Sequence, residues 1–470
     1  MSASILDDMA AIVGAKNIVT DADAMVPYLK EWRDLFRGKA QAVVRPGSTA
    51  EVSEIVKLAA RSGTRLVPQG GNTGLVGGQI PTAEGREIIL SLQRMDKVRA
   101  VDAQSDTMTV EAGLSLQKAQ AAAEAAGRLF PLSLASEGSC TIGGNLATNA
   151  GGTAVLAYGN ARELCMGLEV VLADGRIWNG LRQLRKDNTG YDLKNLFIGA
   201  EGTLGIITAA VLKLFPLPAA RATAFLAVPS PEEALTLLNA AKAGAGGTLT
   251  TFEIMPRIGL DFVLRHASGT RDPLSGPSPW YVLMEVSAQS ATGLDEAVEA
   301  FLGDAMEQGL VTDAALAGSL TQRADFWKLR EMLSEVQTYE GGSIKHDVSV
   351  PLHAVPEFLA RATAAVEAMV PGCRALPFGH MGDGNIHFNV SQPVGGDKAA
   401  FLAGWSAMNE AVHAIVCELH GSISAEHGIG RLKRDLLPGV KDPVELDLMK
   451  TLKATLDPQG ILNPGAVLQM

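Results

Sequence analysis

The chain has 470 residues, of which 47% are hydrophobic and 19% charged, and its formal net charge is −11. This composition is typical of a globular protein of two or three domains, and an acidic chain without a basic stripe is not expected to bind nucleic acid. The sequence has no apolar run of about 18 residues and no basic leader, and its four cysteines are widely spaced. We therefore expect no membrane span and a cytoplasmic location.

Short strands and helices share the first part of the chain. Residues 1–40 indicate a helical segment. A strand at Ala42–Arg45 leads into a helix with Thr49 as its predicted N-cap, and the helix ends at Gly63. Further strands are predicted at 65–67, 88–91, 108–111, 168–172 and 205–208. Since strands and helices do not alternate strictly, the pattern predicts an α+β fold rather than a doubly wound sheet.

Four prolines between residues 216 and 231 indicate a domain boundary near residue 216. Beyond it, helices are predicted from Pro231 and over 293–308, with a strand at Trp280–Val286 between them. The tail after residue 400 is predicted to be helical. The expected divisions are 1–40, 41–216, 217–400 and 401–470.

Three loops in the first half are rich in glycine and small polar residues: 68–78, 136–152 and 199–207. The first holds five glycines within nine residues, so its backbone N–H groups can converge on phosphate oxygens. It carries neither a P-loop nor a dinucleotide-fold fingerprint. One such loop alone would indicate an ordinary turn, but three favour the extended binding of a large nucleotide cofactor.

The segments 378–390 and 424–428 contain three candidate metal ligands, His380, His387 and Glu426. Glycines on both sides of an aspartate predict a tight turn between two strands, with one histidine on each strand. Two histidines and a glutamate leave an open position for substrate, as catalytic metal sites require. His427 could move protons. From spacing alone, two core histidines and an unrelated glutamate are an equally good interpretation.

Two cations suggest an anionic substrate. Arg330 and Ser334 are four residues apart on a predicted helix and would share a face. Lys345 lies on a predicted strand over 343–350. Arginine binds carboxylates through a planar pair of donors, and a second cation suits a dicarboxylate. Taken alone, these residues fit a solvated helix arginine and an edge-strand lysine better.

Together these motifs resemble a known family. Residues 68–78, 142–152 and 201–208 are similar to the FAD-binding half of the vanillyl-alcohol oxidase superfamily. The second half resembles the FAD-linked D-2-hydroxyacid dehydrogenases, which include D-lactate and D-2-hydroxyglutarate dehydrogenases, with the greater similarity to the latter. The resemblance implies an FAD-binding domain over 41–216, a substrate and metal domain over 217–400, and a C-terminal region that completes the active site.

Residue by residue, the resemblance implies metal ligands at His380, His387 and Glu426 and a catalytic base at His427. The residues implied to bind substrate are Arg330, Ser334, Lys345, Asn389 and His427. Those implied to bind FAD come from the three loops and the C-terminal tail: Pro68, Gln69, Gly70, Gly71, Asn72, Thr73, Gly74, Ser136, Gly138, Ser139, Thr141, Ile142, Gly143, Gly144, Asn145, Thr148, Asn149, Gly151, Gly152, Glu201, Gly202, Gly205, Ile206, Ile207 and Asn463.

Three positions depart from the family pattern. Some members bond flavin covalently to a histidine of the first loop, but Asn72 occupies the matching region here, so we expect noncovalent FAD. Ser334 replaces the threonine of eukaryotic members and keeps the hydroxyl. Ala466 replaces a frequent lysine, which removes one phosphate or surface contact.

The implied reaction is oxidation of a D-2-hydroxyacid, with D-2-hydroxyglutarate expected, by hydride transfer to N5 of FAD. The metal is expected to be Zn²⁺, although Mn²⁺, Fe²⁺ and Co²⁺ also suit these ligands. D-Lactate or D-malate dehydrogenase, an oxidase that uses O₂, and a non-catalytic flavin-binding subunit are the alternatives. The expected partners are the anionic 2-hydroxyacid, an electron acceptor such as an electron-transfer flavoprotein or a quinone, and a second copy in a homodimer.

Overall fold

The computed structural model describes residues 5–469, which form two compact units. The first unit comprises the described parts of 1–151, 160–217 and 426–470, and the second comprises 152–159 and 218–425. The region 401–470, predicted as one helical C-terminal region, is therefore divided between the units at residues 425 and 426. The chain leaves the first unit at residue 217 and returns to it 209 residues later (426 − 217).

Two main sheets form the first unit. One has four strands in the order Ile18–Val19, Ala40–Val44, Glu87–Ser91 and Leu66–Gln69, and its last three strands are parallel. The other is antiparallel, with the order Val98–Asp102, Thr107–Glu111, Ile206–Lys213, Cys165–Val171 and Ile177–Gly180. Arg128–Leu129 and Phe215–Pro216 form a short ribbon. The helices are Ile5–Val13, Ala22–Leu29, Thr49–Ser62, Leu116–Ala125, Ile142–Ala147, Lys194–Phe197, Leu437–Val440 and Pro443–Leu456, with 3-10 turns at Ala15–Asn17 and Arg434–Leu436.

The helix Thr49–Ser62 corrects one prediction. Its N-cap is Ser48, whose hydroxyl accepts a hydrogen bond from the backbone N–H of Glu51. Thr49 lies inside the helix, where its buried hydroxyl donates to Glu169 at 2.6 Å. The helix ends as predicted at Gly63, which adopts φ 68° because glycine enters the left-handed region without a steric penalty.

The second unit is built on one antiparallel sheet of seven strands. Their order is Asp313–Leu316, Ala220–Val228, Trp280–Ala288, Thr248–Pro256, Arg374–His380, Asn385–Ser391 and Ser343–Ser349. The helices are Val155–Tyr158, Pro231–Gly244, Arg257–His266, Leu294–Glu307, Leu320–Glu331, Leu333–Val336, Val355–Met369, Lys398–Ala403 and Trp405–Glu418, with 3-10 turns at Gln337–Glu340 and Leu352–Ala354.

Both faces of this sheet are buried. One apolar cluster includes Leu226, Val282 and Phe388, and a second cluster includes Phe225 and Tyr281. Alternation along each strand sends successive side chains to opposite clusters. The mixture of helix and sheet without βα alternation confirms the predicted α+β class. Among the helices of residues 5–469, none is long and apolar enough to cross a membrane.

Candidate active site

A β-hairpin in the second unit positions the two predicted histidine ligands. Strand Arg374–His380 pairs with strand Asn385–Ser391, in the predicted hairpin, with Phe378 opposite His387. Gly384 has φ 84°, and a Cβ atom there would lie 2.2 Å from the carbonyl oxygen of Val350. Only glycine fits this turn. The rings of His380 and His387 then meet edge to face, with their centroids 5.4 Å apart.

Glu253 joins His380 to Arg330. It lies on strand Thr248–Pro256 directly opposite His380 and is completely buried. One of its carboxylate oxygens is 2.6 Å from Nδ1 of His380, and the other accepts a hydrogen bond from Nε of Arg330 at 2.7 Å. Burial alone would raise the pKa of Glu253, but the charges and hydrogen bonds of His380 and Arg330 outweigh it and lower the pKa to about 2. The carboxylate is therefore ionised.

Asp347 occupies the corresponding position beside His387. It faces His387 across paired strands, with a carboxylate oxygen 3.7 Å from Nδ1. Asn385 donates to the same oxygen at 3.0 Å. A carboxylate near Nδ1 favours the tautomer that carries its proton there, so that Nε2 can bind a metal. Both histidines thus have the environment typical of metal ligands.

The predicted substrate-binding residues of the second unit lie near this hairpin. Lys345 is directly opposite Asn389 on the neighbouring strand, and its Nζ donates to the carbonyl oxygen of Ser334 at 3.3 Å. Arg330 is only 7% exposed, and its guanidinium carbon lies 4.7 Å from the ring centroid of Phe378. The interpretation of Arg330 as a solvated helix residue is therefore wrong.

The helix that carries Arg330 differs from the prediction. It ends at Glu331, and Ser334 belongs to a separate four-residue helix, Leu333–Val336. Leu333 is completely buried, and the break lets both short segments pack against the core. The junction residue, Met332, keeps a right-handed helical backbone at φ −69° and ψ −14°. The shared face of Arg330 and Ser334 stays a prediction.

The glycine loops lie in the first unit, which holds every predicted cofactor residue except Gly152. A Cβ atom at Gly71 would lie 1.8 Å from the carbonyl oxygen of Ser139, and one at Gly70 would lie 2.2 Å from the Thr141 hydroxyl. The first and second loops therefore pack so closely that only glycine fits between them. Thr141 caps the helix Ile142–Ala147 by accepting from Gly144 N–H.

Four predicted cofactor residues other than glycine have left-handed backbones: Asn72, Asn149, Glu201 and Asn463, at φ 43–56°. Such conformations cost about 1–3 kcal/mol each and cluster at ligand sites. Within residues 5–469, the buried amide oxygens of Gln69, Asn72 and Asn463 have no hydrogen-bond partner. A polar cofactor that donates hydrogen bonds would satisfy such atoms, so these loops fit FAD.

Glu201 has a structural contact that the sequence did not reveal. Its carboxylate accepts hydrogen bonds from the backbone N–H groups of Ile429 and Gly430, just beyond His427. Its own carbonyl oxygen accepts from Asn463 at 2.7 Å. Burial raises the pKa of Glu201 above its ordinary value, against the effect of these backbone donors and Lys433. The side chain of Glu201 therefore holds the segment after His427.

Glu253 and Asp347 are the site residues that sequence reasoning did not assign. A signal for Glu253 was available, because it is the one ionisable residue in the otherwise apolar or hydroxylated strand Thr248–Pro256. Its partner His380 is 127 positions away, so the contact itself required the fold. Asp347 lies two residues after Lys345 on strand Ser343–Ser349, and no role was predicted for it.

Family models match most of the chain. Residues 40–180 match the FAD binding domain, and residues 217–467 match the C-terminal domain of FAD linked oxidases. The protein belongs to the FAD-linked oxidase family. The bovine D-2-hydroxyglutarate dehydrogenase, named as mitochondrial, is 40% identical over 98% of this chain and 83% of its own length. The Xanthomonas citri pv. viticola D-2-hydroxyglutarate dehydrogenase is 37% identical over 97% of this chain and 95% of its own.

Solved structures confirm the fold class. A p-cresol methylhydroxylase with bound substrate superposes with a TM-score of 0.76 at 17% identity, covering 98% of this chain and 96% of that one. An alkyldihydroxyacetonephosphate synthase gives 0.74 at 18% identity, covering 98% and 84%. At these identities the likeness shows the shared fold alone.

Proposed function

We propose that this protein oxidises a D-2-hydroxyacid, with D-2-hydroxyglutarate the preferred substrate, to the 2-oxoacid, using noncovalent FAD and a divalent metal. The observation that carries the proposal is the cluster of Arg330, Glu253 and His380. A second cation, Lys345, lies opposite Asn389 of the same hairpin, on the neighbouring strand. The near full-length similarity to proteins named D-2-hydroxyglutarate dehydrogenase supports the choice of substrate. Two cations favour a substrate with two carboxylates over D-lactate, which has one.

His380, His387 and Glu426 would hold the metal. Each histidine has a carboxylate near Nδ1, which favours coordination through Nε2. Ser422 forms a bridge with Ser349 at the sheet edge, and Glu426 follows only four residues later. Two histidines and one carboxylate suit Zn²⁺.

FAD would be held by the three glycine loops and by Asn463. Their left-handed residues, their close packing and the buried unpartnered amide oxygens all support this assignment. When bound, FAD would supply a two-electron acceptor and the metal would supply a positive charge at the hydroxyl oxygen.

Side chains of the protein itself would accept the proton and bind the substrate. His427 would accept the hydroxyl proton of the substrate as a general base. Arg330 has donors beyond the one that Glu253 accepts, and with Lys345 and Asn389 it would bind the carboxylates and orient the C2–H bond. His427→Ala is expected to reduce turnover by about two orders of magnitude or more while FAD stays bound, and near-normal turnover would remove His427 from this role.

The test follows flavin bleaching near 450 nm in anaerobic protein mixed with D-2-hydroxyglutarate, D-malate, D-lactate and their L-enantiomers. Each substrate is used before and after treatment with a chelator, and Zn²⁺ is added back as the control. Bleaching by D-2-hydroxyglutarate that the chelator abolishes and Zn²⁺ restores is the expected result.

Other outcomes would contradict specific parts of the proposal. Faster bleaching by D-lactate would make this a D-lactate dehydrogenase on the same scaffold. Bleaching that survives the chelator would remove the metal from the reaction. An FAD-loaded protein that none of these acids bleaches would be a flavin-binding subunit without this chemistry. Peroxide release in air would replace the proposed electron-transfer flavoprotein or quinone acceptor with O₂.

A further inference from the structure

Glu253 is a carboxylate with two different partners, one on each oxygen. It is completely buried in the middle of the seven-stranded sheet, between strands Trp280–Ala288 and Arg374–His380. One oxygen meets Nδ1 of His380 at 2.6 Å, and the other accepts from Nε of Arg330 at 2.7 Å. Both partners are themselves buried, with exposures of 7%. The geometry of all three side chains is therefore fixed by direct contact.

Each contact has a chemical consequence for the partner. A carboxylate paired with Arg330 through one oxygen accepts at the other, so Nδ1 of His380, 2.6 Å away, is the donor and Nε2 is the nitrogen that would bind metal. The contact with Nε of Arg330, together with the Phe378 ring below the guanidinium, fixes the plane of the guanidinium group. The Nη donors keep a single orientation.

We propose that Glu253 is a positioning residue that couples the metal site to substrate binding, because one carboxylate sets both the tautomer of His380 and the orientation of Arg330. This inference rests on the proposed function, in which His380 binds the metal and Arg330 binds a substrate carboxylate. Glu253 would act on metal and substrate only through these two side chains.

Glu253→Gln separates positioning from simple packing. The amide has the same shape but only one acceptor oxygen, so it can satisfy either Arg330 or the protonated Nδ1 of His380. If the amide oxygen of this variant accepts from Arg330, the amide N–H₂ group faces Nδ1 of His380. It then favours the His380 tautomer that carries its proton on Nε2, and a protonated Nε2 cannot bind the metal. Replacing such a partner lowers metal affinity by about 10–100-fold.

Glu285→Gln is the matched control. Glu285 lies on the neighbouring strand of the same sheet, is 6% exposed, and accepts hydrogen bonds from Arg323 and Trp327. It is a buried glutamate paired with an arginine, and the described donors to its carboxylate are Thr223, Arg323 and Trp327 rather than His380 or Arg330. Its substitution should lower stability without changing metal affinity.

The experiment measures Zn²⁺ affinity of the FAD-loaded protein by competition with a fluorescent chelator, without substrate. We expect Glu253→Gln to weaken Zn²⁺ binding about 10–100-fold and also to weaken glutarate binding, whereas Glu285→Gln changes neither. Equal Zn²⁺ affinity in the two variants would overturn the proposal. A parent protein that binds no Zn²⁺ would instead refute the proposed function.

Folding is checked by circular dichroism and thermal unfolding. Should Glu253→Gln fail to fold, Glu253→Asp and Glu285→Asp take its place, because aspartate keeps the charge but shortens the reach to the partners. Weaker Zn²⁺ binding in Glu253→Asp alone is then expected, and equal binding in both aspartate variants would overturn the proposal.

Discussion

Lys453 connects the C-terminal tail to the cofactor-binding part of the first unit, and its replacement by methionine tests how that part is held together. Its Nζ donates to the carbonyl oxygens of Thr203 and Leu462, each at 2.8 Å, and to Asp457 at 2.5 Å. The lysine and aspartate side chains are only 6% and 0% exposed. Burial lowers the pKa of Lys453, and Asp457 opposes this effect.

The magnitude follows from what Lys453→Met leaves behind. Asp457 would keep the backbone N–H donors of Ile461 and Leu462 but lose its counter-ion, and two buried carbonyl oxygens would lose a charged donor. Removing one partner of a buried pair costs about 3–5 kcal/mol. Asn463 comes directly after Leu462 and donates to the carbonyl oxygen of Glu201, and both are proposed FAD-binding residues. FAD affinity should therefore fall together with stability.

Urea unfolding of the FAD-loaded protein, followed by flavin fluorescence, reports on the first unit. Lys450→Met, an exposed lysine on the same helix, is the matched control. We expect the loss of about 3–5 kcal/mol only in Lys453→Met, with faster FAD release. Unfolding midpoints and FAD affinities that agree between the two variants would refute the reasoning.

Three further predictions concern other contacts. Gly71→Ala should weaken FAD binding at least about tenfold, because the added Cβ atom would overlap the Ser139 carbonyl. Gly439→Ala, where the added Cβ atom meets open space, should leave FAD binding unchanged, and titration with FAD measures both affinities. Burial alone would raise the pKa of Glu340, but hydrogen bonds from Arg374, His266 and Arg265 outweigh it and lower the pKa to about 2. The ionised Glu340 therefore stabilises the folded protein fully above pH 4.5, and this contribution is lost as the pH falls toward 2. Glu340→Gln should therefore lower stability near pH 7 by about 2–3 kcal/mol and flatten acid unfolding in that window, and an unchanged acid profile would contradict this. Lys345→Met should reduce kcat/KM for D-2-hydroxyglutarate about 10–100-fold but spare D-lactate, and equal losses on both acids would refute a dicarboxylate contact.

Local chemistry was enough to predict much of the fold. The glycines around Asp383 predicted the hairpin. In its second strand Ile386, Phe388 and Val390 recur with the period of two that strand geometry requires, and all three pack into the core. These features depend on residues a few positions apart. Their geometry therefore follows from the backbone preferences of the segment itself.

Contacts between distant segments could not be predicted from the sequence. Lys453 and Thr203 are 250 positions apart, and Glu253 and His380 are 127 apart. Each pairing depends on strand order and register, which short-range periodicity does not specify. The same reason explains the error at Thr49. Threonine is a common N-cap residue, but here its hydroxyl lies inside the helix and donates to Glu169, 120 positions away.

The bridge between Leu66 and Leu462 has a consequence for how the protein is made. Leu66 belongs to an early segment of the first unit, but the segment that pairs with it, just before the first glycine loop, is encoded 396 positions later (462 − 66). At about 5–20 residues per second, translating that interval takes roughly 20–80 s. The nascent first unit therefore exposes an unpaired edge at Leu66–Gln69 throughout the synthesis of the second unit. Early capture of FAD, or a chaperone that covers this edge, would protect the growing chain from aggregation.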